Sequence, residues 1–132
     1  TGAVDSTLIV DGTGEGVTGS IVEVISGNYA LSDGATLTGN TTTGDGSAIN
    51  NSANAYLLGG TITANRTTGN GGAINNAAGA NVYLQNGTIT ANAAAAGGAI
   101  YSEGTVNIQG TLSVTGNTVT NSFEAASNLV LA

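Results

Sequence analysis

Residues 60–86 read GTITANRTTGNGGAINNAAGANVYLQN, and residues 87–109 read GTITANAAAAGGAIYSEGTVNIQ, the same phrase with a few residues removed. Two further blocks align with them, GATLTGNTTTGDGSAINNSANAYLLG at 34–59 and GTLSVTGNTVTNSFEAASNLVLA at 110–132. An asparagine closes the first segment of each block, at Asn40, Asn65, Asn92 and Asn117, with spacings of 25, 27 and 25 residues. An isoleucine marks the second segment at Ile49, Ile74 and Ile100, and the third segment ends at Leu58, Leu84, Ile108 and Leu131. A fixed period of this length is the signature of a repeat architecture, so it is read before any local propensity.

Within each block the apolar residues alternate with polar ones, as in Thr61, Ile62, Thr63, Ala64, which is the two-residue period of a strand. Segments of three to five residues are too short for helices. Gly, Ala, Thr and Asn make up 78 of the 132 residues, and apart from alanine these are poor helix formers; only Ala93 to Ala96 would favour a helical turn. There is no proline, as suits a chain in which every interior coil donates ladder hydrogen bonds. Three short strands in a period of about 25 residues predict an all-β fold, a parallel, right-handed β-solenoid of about five coils, each hydrogen-bonded to the next. Inward Ile, Leu, Val and Ala then stack as columns. Asn40, Asn65, Asn92 and Asn117 are read as a structural ladder of stacked amides at one corner, with glycine supplying left-handed turns.

Two regions follow from the periodicity. Residues 34–132 carry the repeats (34–59, 60–86, 87–109 and 110–132), and residues 1–33 form an irregular N-terminal segment with strand-like pieces at Thr7–Val10, Ile21–Ile25 and Tyr29–Leu31. The N-terminal segment is read as an atypical first coil, or as a strand exchanged between subunits.

Composition excludes most chemistry. Without Cys or His there is no disulfide framework, no thiolate nucleophile, no imidazole base and none of the usual zinc ligands, so no cofactor or metal is expected. The one basic residue, Arg66, and a net charge of −7 argue against nucleic acid and anionic membrane surfaces as partners. Lysine is missing, so cross-links that need its amine are excluded. No apolar run reaches the length of a membrane span, and a chain beginning at Thr1 with no leader is read as a processed, secreted form.

The GGAI tetrapeptides at Gly71–Ile74 and Gly97–Ile100, with GSAI at Gly46–Ile49, alternate with Leu37-Thr38-Gly39-Asn40, Ile62-Thr63-Ala64-Asn65, Ile89-Thr90-Ala91-Asn92 and Val114-Thr115-Gly116-Asn117. This alternation resembles the β-helix repeats of polymorphic outer-membrane proteins and autotransporter adhesin passengers. The resemblance implies a right-handed β-helix, a cell-surface or extracellular location, and adhesion to a host or glycan surface without catalysis in the repeats. The family's Phe before x-x-Asn is Ile, Leu or Val here, and these 132 residues hold no segment that reads as a translocating barrel.

Several surface features remain. Thr36, Thr38, Thr61, Thr63, Thr88, Thr90 and Thr111 are expected to form a two-column threonine face, either because Thr suits exposed strand positions or as an ice-binding ladder. Asp11-Gly12-Thr13-Gly14-Glu15 and Gly44-Asp45-Gly46 resemble fragments of calcium loops but match no known loop spacing. Asn-x-Ser/Thr occurs at Asn40, Asn50, Asn65 and Asn86, no more often than this composition gives by chance. A solenoid needs covered ends, and no cap is evident. Thr7, Leu8, Ile9 and Val10 at one end, and Leu129, Val130 and Leu131 at the other, are the expected assembly strands. The sequence therefore predicts a non-enzymatic, secreted structural protein whose partner is itself, building a head-to-tail filament or surface layer; an adhesin passenger and an ice-binding solenoid are the alternatives.

Overall fold

The computed structural model describes residues 8–11, 19–119 and 129–131, the first and last of these stretches by backbone only. Thr7, Gly12 to Glu15 of the first calcium-loop fragment, and Phe123 lie outside the described residues. No helix occurs among the described residues.

The strands follow one another as coils. The first coil holds β1 (Leu8–Asp11), β2 (Val22–Val24) and β3 (Asn28–Leu31). The second holds β4 (Ala35–Thr38), β5 (Thr41–Thr42), β6 (Ile49–Asn51) and β7 (Asn54–Leu57), and the third opens with β8 (Thr61–Thr63), β9 (Arg66–Thr67) and β10 (Ile74–Asn76). Next come β11 (Asn81–Thr90), β12 (Ala93–Ala94), β13 (Ile100–Ser102), β14 (Thr105–Thr115), β15 (Thr118–Val119) and β16 (Leu129–Leu131).

Every pairing among them is parallel, and each joins one coil to the next. Three sheets result, with orders β1-β4-β8-β11-β7-β3, β16-β13-β10-β6-β2 and β15-β12-β9-β5, and β14 pairs with β11. The molecule is a parallel β-solenoid of about four turns, five strands deep on one of its walls. β11 and β14 each run through a corner where earlier coils have two separate strands. The stretch before residue 34 contributes three strands, whose register continues that of the next coil: Val10 opposite Leu37, Val22 opposite Ile49, Leu31 opposite Leu57.

The core is three aliphatic columns meeting on the axis. Leu37, Ile62 and Ile89 stack on one wall, Ile49, Ile74 and Ile100 on a second, and Leu31, Leu57 and Leu84 on the third, all buried. Ala48, Ala73 and Ala99 fill the tight space beside the isoleucines. The GGAI phrase has a steric origin at this wall. Gly71 has a φ of +75°, and a Cβ there would meet the Ile74 carbonyl oxygen at 2.4 Å; a Cβ on Gly72 would meet the Gly98 oxygen at 2.2 Å. Only glycine admits both the left-handed turn and the approach of the next coil.

Two expected alignments are corrected. The column that includes Leu84 contains Leu57, not Leu58, which is exposed. Leu131 does not continue that column: it pairs with Ser102, and Leu129 pairs with Ile100, so β16 belongs to the isoleucine wall. Ala93 and Ala94 are a strand rather than a helical turn, because the Ala93 N–H donates to the Asn65 carbonyl of the preceding coil and tertiary pairing overrides local propensity.

Candidate interaction surfaces: corner ladders, threonine face and end rungs

Asn40, Asn65, Asn92 and Asn117 are buried to within 1% of full enclosure and form one continuous ladder. The backbone N–H of Asn40, Asn65 and Asn92 donates to the side-chain Oδ1 of the asparagine in the following coil, at 3.1, 3.0 and 3.0 Å in turn. The Nδ2 of Asn65 and of Asn92 donates to that same Oδ1, at 3.1 and 2.9 Å. Nδ2 also ties the ladder to the wall beside it: Asn65 donates to the carbonyls of Leu37 and Thr63, Asn92 to those of Ile62 and Thr90, and Asn117 to those of Ile89 and Thr115. Asn40 differs. Its Nδ2 donates to Gly19 O and Ser47 O, each at 2.7 Å, and its Oδ1 is buried without a partner. The residue before each ladder asparagine is left-handed: Gly39 and Gly116 at φ +76° and +66°, Ala64 and Ala91 at +57° and +58°.

A second ladder escaped the sequence reading. Asn51, Asn76 and Ser102 are buried at the end of the isoleucine strands, Asn51 Nδ2 donating to Asn76 Oδ1 at 2.8 Å and Asn76 Nδ2 to Ser102 Oγ at 3.0 Å. The signal was the Ile-Asn-Asn triplet at Ile49–Asn51 and Ile74–Asn76, in step with the same period. A partly buried pair, Asn75 Nδ2 to Asn50 Oδ1 at 3.1 Å, flanks it, and Asn81 donates to Asn54 at 3.0 Å on the third wall. Beside that last pair Tyr56 and Tyr83 stack, with centroids 4.5 Å apart. Thr42 and Thr67 turn the short third sheet: the Thr67 hydroxyl donates to Gly44 O while accepting the Gly69 N–H at 2.9 Å.

The sequons divide by burial. Asn40 and Asn65 are enclosed ladder members, Asn50 is partly buried and hydrogen-bonded to Asn75, and Asn86 is exposed on β11. Asp45, at the second calcium-loop fragment, instead accepts the Asn70 N–H of the following coil at 2.8 Å. Among the described residues no group of three acidic side chains gathers.

The threonine face is brought together, with one correction. Thr36, Thr61 and Thr88 lie in register in one column, and Thr38, Thr63 and Thr90 in the next. The fourth rung is Ser113 and Thr115, opposite Thr88 and Thr90; Thr111 lies opposite Asn86, off the face. The cause is an extra residue in β14 where the register shifts past Leu84. Gly110 makes it possible, since a Cβ there would meet the Gln85 oxygen at 1.9 Å.

At the two ends, β1 and β3 close one side of the first sheet and β14 the other, while β2 and β16 are the outermost strands of the isoleucine wall. Among the described residues no strand covers their outer edges. Leu8, Ile9 and Val10 pair with Ala35, Thr36 and Leu37, and Leu129, Val130 and Leu131 with Ile100, Tyr101 and Ser102, so the expected assembly strands are the terminal rungs of their own solenoid. On β14, Ile108 continues the Leu31–Leu57–Leu84 column yet is 63% exposed, and Val106, Leu112 and Val114 are only partly buried. No protein-family model matches the chain, and no curated protein or solved structure matches it either.

Proposed function

We propose that the protein is a secreted, non-catalytic structural subunit that stacks head to tail with copies of itself into an extracellular filament or surface layer. The observation that supports this reading most is the run of apolar columns into the β14 end. Ile108 occupies a core position in register with Leu84, but nothing described lies on its far side. A terminal rung of this kind presents aliphatic side chains and unpaired backbone groups together, the surface that parallel strand addition satisfies. A head-to-tail contact does not close on itself, so its product is a filament. The absence of Cys and Lys leaves backbone hydrogen bonds and packing to hold the joints.

The test is electron microscopy and light scattering of the full chain at rising concentration. Filaments with an axial repeat of about 24 Å, five rungs at the sheet spacing, are the expected product. Ile108→Asp, at a site already exposed in the single subunit, keeps the circular dichroism of the parent and abolishes assembly. A parent chain that stays monomeric at every concentration overturns the reading.

A further inference from the structure

The side of the solenoid formed by β4, β8 and the C-terminal halves of β11 and β14 is not absorbed by stacking. Four rungs present Thr36 and Thr38, Thr61 and Thr63, Thr88 and Thr90, then Ser113 and Thr115, as two straight columns in parallel register. The turn position beside them is Gly39, Ala64, Ala91 and Gly116, so twelve outward positions carry only Thr, Ser, Ala or Gly. In a chain of net charge −7 this strip holds no charge. Among the described residues the first six of those threonine hydroxyls have no hydrogen-bond partner, in contrast to the Thr42 and Thr67 hydroxyls at the short sheet, which are engaged. These six threonines are partly buried, each in register with its counterpart one coil away, so the parallel ladder sets the spacing of their side chains.

The spacings follow from the sheet itself. Equivalent hydroxyls repeat every ~4.8 Å along the solenoid axis and every ~6.7 Å along each strand. That rectangular net is close to the oxygen spacings on a prism face of hexagonal ice, and β-branched threonine in a strand has little rotamer freedom to lose on docking. An anion finds no cation on this strip, and a metal finds no carboxylate. The geometry points to an ice-binding face: the two Thr columns order a sheet of water that merges with the lattice of a growing ice crystal. This inference does not depend on filament formation, since it uses the side of a single subunit.

The experiment uses the full chain as a dilute monomer, in nanolitre osmometry and in partition into a slowly growing ice hemisphere. The expected result is a gap between melting and freezing points, faceted crystals, and enrichment of the protein in the ice. Thr63→Lys/Thr90→Lys places two charges on adjacent rungs and loses the gap and the enrichment, while Ala78→Lys in the exposed turn before β11 retains both. Thr63→Lys alone serves if the double variant does not keep the parent's circular dichroism. Binding is also measured to microcrystalline cellulose and chitin, whose surfaces present periodic hydroxyls. No freezing gap, a gap unchanged by the lysine variants, or retention on the polysaccharides without enrichment in ice each overturns the inference.

Discussion

Replacing Asn92 by alanine tests whether the corner ladder, rather than the apolar columns alone, holds the coils together. Asn92 Oδ1 accepts the backbone N–H and the Nδ2 of Asn65, at 3.0 and 3.1 Å. Its Nδ2 donates to Ile62 O and Thr90 O at 3.0 Å and to Asn117 Oδ1 at 2.9 Å. Truncation leaves the enclosed Asn65 N–H with no acceptor and removes one donor each from Ile62 O and Thr90 O. No water replaces the amide readily, because Asn92 has 0% of its surface exposed. Stranding the Asn65 N–H at about 1–3 kcal/mol and losing one hydrogen bond each at Ile62 O and Thr90 O, the latter still accepting the Ala64 N–H, at about 1 kcal/mol apiece gives a loss of about 4 kcal/mol, a large part of the stability of a chain this size. With a urea dependence of about 2 kcal/mol per molar, the unfolding midpoint falls by about 2 M. Thr90→Ala, two residues away and with no hydroxyl hydrogen bond among the described residues, moves it by about 0.25 M. The assay is urea unfolding followed by circular dichroism at 218 nm or thereabouts, with both variants and the parent in one buffer. If Asn92→Ala shifts the midpoint no more than Thr90→Ala does, the ladder is ornament and the reasoning fails.

Backbone handedness gives a second test: Gly71→Ala, which drives a Cβ to 2.4 Å from the Ile74 oxygen at φ +75°, lowers the melting temperature sharply, whereas Ala64→Gly and Ala91→Gly, which relieve left-handed alanines, leave it unchanged or raise it. A melting temperature unaffected by Gly71→Ala contradicts the steric account of the GGAI phrase. Expressed in a host that glycosylates asparagine, folded protein carries glycan at Asn86 alone among the solenoid-buried and exposed sequons Asn40, Asn65 and Asn86; peptide mass mapping of soluble material that shows glycan on Asn65 refutes this. Burial raises the Tyr29 hydroxyl above its ordinary value of 10.0. The folded state therefore keeps that proton where the unfolded chain releases it, so stability is level with pH below about 10 and declines as pH rises through the folded pKa. Thermal melts from pH 8 to 11 with and without Tyr29→Phe check the sign, the variant showing a shallower decline.

The parts of this architecture that the sequence exposes are those anchored on the corner asparagine. Counting back from Asn65, Asn92 and Asn117 places Thr63, Thr90 and Thr115 two residues before, and Thr61, Thr88 and Ser113 four before, which is the register the structure adopts. Aligning instead on the Gly-Thr that opens each block puts Thr111 on the face, and the bulge at Gly110 defeats that count. At Leu57-Leu58 both residues are apolar, so alternation alone cannot choose; the pairing of Asn54 with Asn81 does. The third sheet was invisible for a different reason. Its strands are two residues long and hold Thr41-Thr42, Arg66-Thr67 and Ala93-Ala94, with no alternation to detect, and they exist because Arg66 N–H and Ala93 N–H find carbonyls one coil back. The buried Asn51–Asn76–Ser102 ladder was hidden because asparagine in a surface-rich composition reads as turn, although its position after the inward isoleucine marks a corner.

The corner ladder also bears on polarity. In every described step the backbone N–H of an asparagine points to the Oδ1 of the coil that follows, and never to that of the coil before. A neighbouring subunit added in the same direction meets a ladder whose donors and acceptors run in the same sense as its own. A subunit added in reverse sets like groups against each other and changes parallel strand pairing to antiparallel at the joint. Stacks of this protein are therefore expected to have one polarity, with heterologous joints and no two-fold axes across the filament. Helical reconstruction from electron micrographs reads this directly. Dihedral symmetry, or filament fragments that anneal through identical ends, would refute the argument from ladder direction even if filaments form.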